Sequence, residues 1–275
     1  MQIISLMHTG ADVWKRRALP PEMKGEGAMA SNFSSPLLPL IRKLESITTL
    51  SDVERATIEM LPVKVRALSA RQDIVRDGDT ASQSCLILEG WSCRYKMIED
   101  GKRQVFSFHI AGDIPDLHSL HIPLMDHNLA TVTAATVAFI PHEALHDLTA
   151  RFPGIAAKLW RETLVDAAIF RQWMMSMGRR DAFDHMAHLL CELYLRQEAV
   201  GLASDHRCPM PLSQVELADA MGLSNVHVNR VLQEMRGRGM LTLSRNTLVI
   251  QAWDDLVRTA EFDPTYLQLR KSSAA

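Results

Sequence analysis

The chain has few cysteines and no long apolar run, and each absence excludes a class of protein. Only four of the 275 residues are cysteine, and none of them forms a CxxC pair, which excludes zinc ribbons and ferredoxin-type clusters. No stretch approaches the roughly 18 apolar residues that a membrane span needs. Residues 1–7 lack the basic start and the long apolar run of a signal peptide. These absences predict a chain with reduced thiols, located in the cytoplasm, with no membrane partner.

The chain also has little net charge. Its formal charge is −2, so no overall attraction draws it to nucleic acid, and any DNA-binding face must be local. Apolar residues make up 47% and charged residues 23%, which is typical of a globular chain and excludes a disordered one. At about 150 residues per domain, the length predicts roughly two domains.

Short apolar runs separated by turns occupy the region from about residue 62 to residue 141. The runs are Val63 and Val65, Ile74-Val75, Leu86-Ile87-Leu88, Val105 to Phe108, and Thr136 to Ile140. Turn pairs such as Glu89-Gly90 and Gly112-Asp113 separate them. Several short strands with tight turns in about 80 residues predict a compact antiparallel sandwich or barrel.

A long helical pattern follows Pro153. Apolar or small residues recur there at alternating steps of three and four: Ala156, Trp160, Thr163, Ala167, Phe170, Met174 and Met177. This is the spacing of a coiled-coil seam. A seam on one helix cannot bury itself, so it packs either on its own domain or on a second copy of the chain.

Residues 212–250 carry the pattern of a winged helix-turn-helix. A capping box, Ser213 to Glu216, opens a first helix, and Gly222 permits a sharp turn. Ser224 caps a second helix, and two short strands follow over residues 241–244 and 247–250. Helices, turn and wing occur together, which favours DNA binding over a packed helical hairpin without a ligand.

The run from Leu212 to Leu232 resembles the DNA-binding helices of the Crp/Fnr family of bacterial transcription regulators. Leu86 to Gly90, Glu99 to Arg103 and Ala111 to Asp113 resemble the β-roll sensor domain of that family. The resemblance covers residues 36–256 and implies an α+β fold. It implies five segments: a flexible lead-in (1–35), a cyclic-nucleotide-binding-like β-roll (36–152), a dimerisation helix (153–178), a winged helix-turn-helix (179–256) and a C-terminal tail (257–275).

The same resemblance implies a homodimer that binds double-stranded DNA at a two-fold site and contacts RNA polymerase. The recognition-helix contacts of the family fall on Asn225, Val226, His227, Asn229 and Arg230. Ser213, Gln214, Ser224 and the wing residue Arg245 complete the predicted DNA-binding set. Val226 stands where many members carry Glu, so the base preference of those members does not transfer.

The resemblance also implies a sensor pocket for a small-molecule effector, which we place at Asp113, Asp116, Asn128 and Thr131. Cyclic-nucleotide binders in the family hold the phosphate with Arg followed by Ser or Thr. Here Asn128 and Leu129 occupy those places, so the phosphate lacks its bidentate partner and we expect no cyclic AMP binding. The oxygen-sensing branch needs N-terminal cysteines, and residues 1–84 contain none. We therefore expect no cofactor.

Three other patterns have a less specific chemistry. His118 and His121 lie near Asp113 and Asp116 with a spacing that metal ligands can have, but a solvated polar loop is favoured and no metal site is predicted. Cys85 and Cys93 flank the Glu89-Gly90 turn. They could be redox neighbours across two strands, but the favoured interpretation is two small buried apolar residues.

An enzyme with a catalytic pocket in the sensor half is the alternative function. No nucleophile–base pair, phosphate-binding loop or metal motif favours it.

Overall fold

The fold begins with two short helices that pack against the first β-sheet. In the computed structural model the described residues are 35–270, so the predicted lead-in, apart from Ser35, lies outside this range. The helices are α1 (Leu38–Ile47), α2 (Asp52–Glu59), α3 (His142–Arg151), α4 (Pro153–Arg179), α5 (Ala182–Ala199), α6 (Gln214–Met221), α7 (Asn225–Gly237) and α8 (Trp253–Thr259). A capping box between Ser51 and Glu54 starts α2.

Within residues 35–270, ten strands form three antiparallel sheets. They are β1 (Lys64–Leu68), β2 (Asp73–Val75), β3 (Gln83–Glu89), β4 (Ser92–Met97), β5 (Arg103–His109), β6 (Asn128–Thr131), β7 (Ala135–Pro141), β8 (Arg207–Pro209), β9 (Leu241–Ser244) and β10 (Thr247–Ile250). The N-terminal domain has one sheet in the order β1-β7-β3 and a second in the order β2-β6-β4-β5. This arrangement, with α4 and the helix-turn-helix behind it, confirms the predicted α+β class with an antiparallel sensor domain.

Helix α4 joins the sensor domain to the C-terminal part of the chain. Pro153 occupies its first turn, where the missing N–H costs no hydrogen bond. One side of α4 is buried: Ile155, Leu159, Glu162, Val165, Ile169, Trp173 and Ser176. Helix α5 follows, and almost all of its residues from His185 to Gln197 are buried. The described residues contain no helix long and apolar enough to cross a membrane.

The C-terminal end differs from the predicted tail over residues 257–275. Helix α8 and a 3-10 turn at Pro264–Leu267 bury Leu256, Ala260 and Phe262 against the core of the DNA-binding domain. Ring stacking of Tyr266 on His188, with centroids 5.9 Å apart, ties this segment to α5. Trp253, Leu256, Val257 and Ala260 recur at helical steps of three, four and seven, a local signal of α8 that the predicted tail did not take into account.

Cys85 and Cys93 are not neighbours across a hairpin. Cys85 lies on β3 opposite Phe139 of β7, and Cys93 lies on β4 opposite Phe108 of β5, so the two thiols belong to different sheets. Both are buried and free, and burial raises the pKa of Cys93 to about 12. Cys85 and Cys93 are therefore small buried core residues, in agreement with the favoured interpretation of the sequence.

Candidate DNA-binding and sensor residues

Capping residues position the two helices of the helix-turn-helix. The Ser213 hydroxyl accepts a hydrogen bond from the Glu216 N–H at 3.3 Å, and Glu216 Oε2 accepts from the Ser213 N–H at 2.6 Å. Gly222 then ends α6 in the left-handed conformation, with φ +67°. Ser224 caps α7 by accepting from the His227 N–H at 3.3 Å. The angle between α6 and α7 is therefore fixed by local hydrogen bonds and one glycine.

Helix α7 has one buried side and one open side. Val228, Val231, Leu232 and Met235 are buried, as predicted. Asn225 and Arg230 are exposed, and Val226 is 80% exposed. An exposed large apolar residue in the first turn of a helix is available for contact with a partner, such as the methyl group of thymine.

The predicted DNA-contact residues differ in exposure and in the groups that they contact. Asn229 is half-buried, and its amide donates to Gln214 Oε1 at 3.1 Å, which ties α7 to α6. His227 and Arg230 border a groove between α7 and the start of α5. Arg245 is exposed at the tip of the β9–β10 hairpin, where its φ of +49° belongs to a tight turn.

Sequence reasoning missed the contact between the sensor domain and α6. Arg103 on β5 forms an ion pair with Asp219 on α6, with 2.7 Å between Nε and Oδ2. Its neighbour Gln104 donates to the carbonyl of Ala220 at 3.3 Å. These residues are more than 100 positions apart, so no local pattern could have indicated the contact.

The seam predicted on α4 is not fully covered by the sensor domain. Trp160 is 69% exposed, Phe170 46%, Met174 57% and Met177 41%. The other seam residues, Ala156, Thr163 and Ala167, are partly exposed. The buried stripe of α4 is a different set, and the sensor domain covers the predicted seam only in part, as in the edge contact of Phe170 with Phe106 of β5.

Two of the four residues predicted for the effector pocket, Asp113 and Asp116, are buried among protein groups. Asp113 is 2% exposed and pairs with Lys43 of α1 at 2.7 Å and with Arg196 of α5 at 3.0 Å. Asp116 is 1% exposed, and its Oδ1 accepts from the Cys85 N–H at 2.7 Å. Both carboxylates thus point into the protein, where no solvent-borne ligand reaches them, and the prediction for these two needs correction.

Asn128 and Thr131, at the two ends of β6, hold neighbouring loops. The side-chain oxygen of Asn128 accepts from the Asp77 N–H at 3.1 Å, and the Thr131 hydroxyl donates to the Ser69 carbonyl at 2.6 Å. Leu129, between them, is fully buried. These hydrogen bonds close the strand pairing of β2 with β6, and they leave Asn128 and Thr131 as connectors of the sheet.

Buried charges connect the sensor domain to α4 and α5. Burial raises the pKa of the Glu162 carboxyl on α4, and the charges of Asp166 and Asp113 act in the same direction against those of Lys43 and Arg94. Arg94 on β4 pairs with Asp166 on α4 at 2.5 Å and donates to the Pro115 carbonyl at 2.7 Å. Burial opposes ionisation of the Asp166 carboxyl, but the charge of Arg94 and other nearby cations outweigh this effect. The pKa of Asp166 is therefore lowered.

The structure separates the histidines that the sequence placed together. His121 lies against His146, with ring centroids 6.0 Å apart, whereas His118 lies against His127 at 5.3 Å. His118 and His121 are therefore not a pair, and Asp113 is turned toward Lys43. No local sequence pattern indicated the group of His118, Asp126 and His127, because a loop separates His118 from the other two residues.

Comparison with known proteins agrees with this architecture. Residues 65–152 match the cyclic nucleotide-binding domain family, and residues 184–259 match the family of Crp-like helix-turn-helix domains, so the two matches cover more than half of the chain. The chain is 22% identical over 210 residues to the transcriptional activator protein FnrA of Stutzerimonas stutzeri, covering 76% of this chain and 82% of that protein. It is also 22% identical over 215 residues to the fumarate and nitrate reduction regulatory protein of Escherichia coli, covering 77% and 84%.

Among solved structures, the chain is similar to FixK2 from Bradyrhizobium japonicum. The TM-score is 0.66 at 23% identity, and the match covers 72% of this chain and 98% of that one. This likeness concerns the fold. With the two domain matches and the regulators above, it shows that the chain belongs to the Crp/Fnr family of transcription regulators, with a cyclic-nucleotide-binding-like domain followed by a DNA-binding helix-turn-helix.

Proposed function

We propose that the chain acts as a homodimer, inserts α7 of each protomer into the major groove of a two-fold DNA site, and contacts RNA polymerase there. The observation that carries the proposal is a pair of open surfaces on one chain. Helix α7 presents exposed polar residues beside a packed stripe, and α4 presents an apolar stripe that its own domain leaves partly uncovered.

The second copy is the occupant that fits the α4 stripe. Its spacing is that of a coiled-coil seam, which is self-complementary when two identical helices meet about a two-fold axis. A single helix-turn-helix contacts one half-site only, so a dimer also supplies the second recognition helix. Relatives that are transcription regulators favour this function over the alternative of an enzyme.

Within the recognition surface, we assign base contacts to Asn225 and Arg230, with Val226, His227 and Asn229 beside them. Ser213, Gln214, Ser224 and Arg245 are assigned to the phosphate backbone. Asn225 and Val226 are in the first turn of α7, the part of a recognition helix that enters the groove. Exposed Arg230 has the length and the donors to reach O6 and N7 of guanine.

We propose that the sensor domain binds neither cyclic AMP nor cyclic GMP as its effector. Leu129 is buried and Asn128 is neutral, with its amide bonded to the neighbouring loop. The nearby guanidinium of Arg94 is already held by Asp166 and by the Pro115 carbonyl. A cyclic phosphate would have to displace that ion pair to gain a bidentate partner. Calorimetry should therefore show no stoichiometric micromolar binding of either nucleotide.

The DNA-binding proposal is tested by selecting sites from a random library and measuring affinity at two salt concentrations. If Arg230 reads guanine, Arg230→Ala should weaken binding by about 1–3 kcal/mol and relax preference at one symmetric position per half-site. Arg151→Ala, on α3 of the sensor domain, is the matched control and should leave affinity and preference unchanged. A uniform loss of affinity with a smaller salt slope would assign Arg230 to phosphate instead. Unchanged binding in both Arg230→Ala and Asn225→Ala would reject α7 as the recognition helix.

A further inference from the structure

Two histidines of the sensor domain face each other with unused ring nitrogens. His118 is on a 3-10 turn at Leu117–Leu120, and His127 directly precedes β6. Their ring centroids are 5.3 Å apart and their planes are tilted by 34°. The Nε2 atom of each ring is buried and has no hydrogen-bond partner. Buried polar atoms nearly always have a partner, so two unpartnered nitrogens on neighbouring rings indicate that a ligand belongs there.

A carboxylate fixes the protonation of one of these rings. Asp126 Oδ1 lies 2.6 Å from His127 Nδ1 and accepts its proton. The lone pair of His127 is then on Nε2, which is the arrangement of a histidine that binds a metal while its other nitrogen donates to a carboxylate. One ligand atom from each of His118, Asp126 and His127 lies within 4.8 Å of the others. Ligands of one tetrahedral Zn²⁺ at 2.0–2.1 Å are roughly 3.3 Å apart, so small side-chain rotations complete the geometry.

The backbone around the three residues is held in place. Met125 is buried; its N–H donates to the Asp79 carbonyl at 2.9 Å, and its carbonyl accepts from Gly78 at 2.8 Å. Lys96 Nζ donates to the carbonyl of Asp126 at 2.9 Å. These contacts anchor the loop before β6 to a neighbouring turn. The backbone that carries Asp126 and His127 is therefore held without a ligand, which lowers the entropy lost when one binds.

The electrostatic environment keeps both rings neutral at physiological pH. Burial lowers the pKa of His118 to about 4 and also lowers the pKa of His127, with the Arg94 charge acting in the same direction. A neutral imidazole is the form that binds metal. The Arg94 charge would oppose a second cation, but Asp166 neutralises it at 2.5 Å, and Asp126 adds a negative charge beside the rings.

We propose that the Nε2 atoms of His118 and His127 bind one divalent transition-metal ion of the zinc class in the sensor domain, with Asp126 orienting His127 through its Nδ1. Two imidazoles suit Zn²⁺, Co²⁺ or Ni²⁺ rather than Mg²⁺ or Ca²⁺, which prefer oxygen ligands. Water or small molecules occupy the remaining coordination positions.

The test uses the full chain, stripped of metal with a chelator and dialysed. Calorimetry with Zn²⁺ should show one tight site per protomer, and Co²⁺ should give visible d–d absorption at the same stoichiometry. His118→Gln and His127→Gln should remove this site. Asp126→Asn should weaken Zn²⁺ affinity by about 10–100-fold, because it removes the carboxylate that orients His127.

His121→Gln and His146→Gln are the matched controls, because those two rings also lie against each other in the same domain. Both controls should keep the tight site. Circular dichroism and thermal unfolding in chelator verify that all variants fold, and Zn²⁺ should raise the Tm of the wild type but not of His127→Gln. Equal Zn²⁺ binding in the wild type, His118→Gln and His127→Gln, or no tight binding at all, would overturn the proposal.

A regulatory consequence follows, and it rests on the proposed function. Pro115, three residues before His118, accepts from Arg94, which pairs with Asp166 on α4, so a metal that repositions the His118 turn acts on the proposed dimer helix. Zn²⁺ should then change the affinity for the selected DNA in the wild type but not in His127→Gln. Metal binding without any change in DNA affinity would overturn this regulatory role and leave the metal site standing. Failure to bind DNA with and without Zn²⁺ would contradict the proposed function instead.

Discussion

Replacing Phe170 with Glu should dissociate the proposed dimer. Phe170 is 46% exposed on the open stripe of α4. Complete burial of a Phe side chain is worth about 1.5–3 kcal/mol, so covering the exposed half contributes about 1 kcal/mol per protomer and about 2 kcal/mol per dimer. Loss of 2 kcal/mol raises the dimer Kd by about 30-fold. The true effect should be larger, because two carboxylates would also meet across the two-fold axis in a desolvated seam.

Sedimentation equilibrium over a range of protein concentrations measures this change directly. Met174→Glu, 57% exposed on the same stripe, is a second variant in case Phe170→Glu disturbs the edge contact with Phe106, where the ring centroids are 6.3 Å apart. Val53→Glu, at an apolar position 66% exposed on α2, introduces the same charge away from the stripe and should leave the dimer intact. Both α4 variants should also bind palindromic DNA weakly. An unchanged dimer in both of them would refute the seam on α4.

Three further predictions concern the stability of the fold. Gly222→Ala should lower the free energy of unfolding by about 1–2 kcal/mol in urea titrations, because Gly222 has a φ of +67°. Gly237→Ala, in α7, should not destabilise the protein. Equal effects of the two variants would contradict the argument from backbone strain. Burial raises the pKa of Asp116 to about 7, so the native state binds more protons than the unfolded state from about pH 4 to pH 7. The free energy of unfolding should therefore fall with rising pH in this range, by up to about 1.4 kcal/mol per pH unit. Asp116→Asn should flatten this slope. A double-mutant cycle on Arg103 and Asp219 should give a coupling of about 0.5–1 kcal/mol, since the pair is partly exposed, and a value of zero would remove the sensor–α6 contact as a stabilising link.

Local patterns predicted the DNA-binding unit well. The capping box at Ser213, the Ser224 cap and the turn at Gly222 are all formed, and the strands predicted over residues 241–244 and 247–250 have those bounds. Each of these features depends on residues within three or four positions of one another. Caps, turns and strand alternation are therefore readable without knowledge of the fold.

The strands β4, β6 and β8 gave no usable signal. β6 and β8 are four and three residues long, and all three mix polar with apolar side chains. Their conformation comes from pairing with strands elsewhere in the chain, such as β4 between β5 and β6. Short strands are stabilised by cross-strand neighbours rather than by their own propensity, so their sequences alone do not reveal them.

Local sequence patterns alone indicate most of the helices, part of the strands and the surface that α7 presents. The tertiary structure decided which side chains remain available. It turned Asp113 and Asp116 inward, left the α4 stripe open, and placed His118 against His127. Such outcomes depend on how distant segments meet: Lys43 and Arg196, far apart in the chain, pair with the two oxygens of the same buried carboxylate, Asp113. Burial and ion pairing are properties of those long-range contacts, and no periodicity within one segment encodes them.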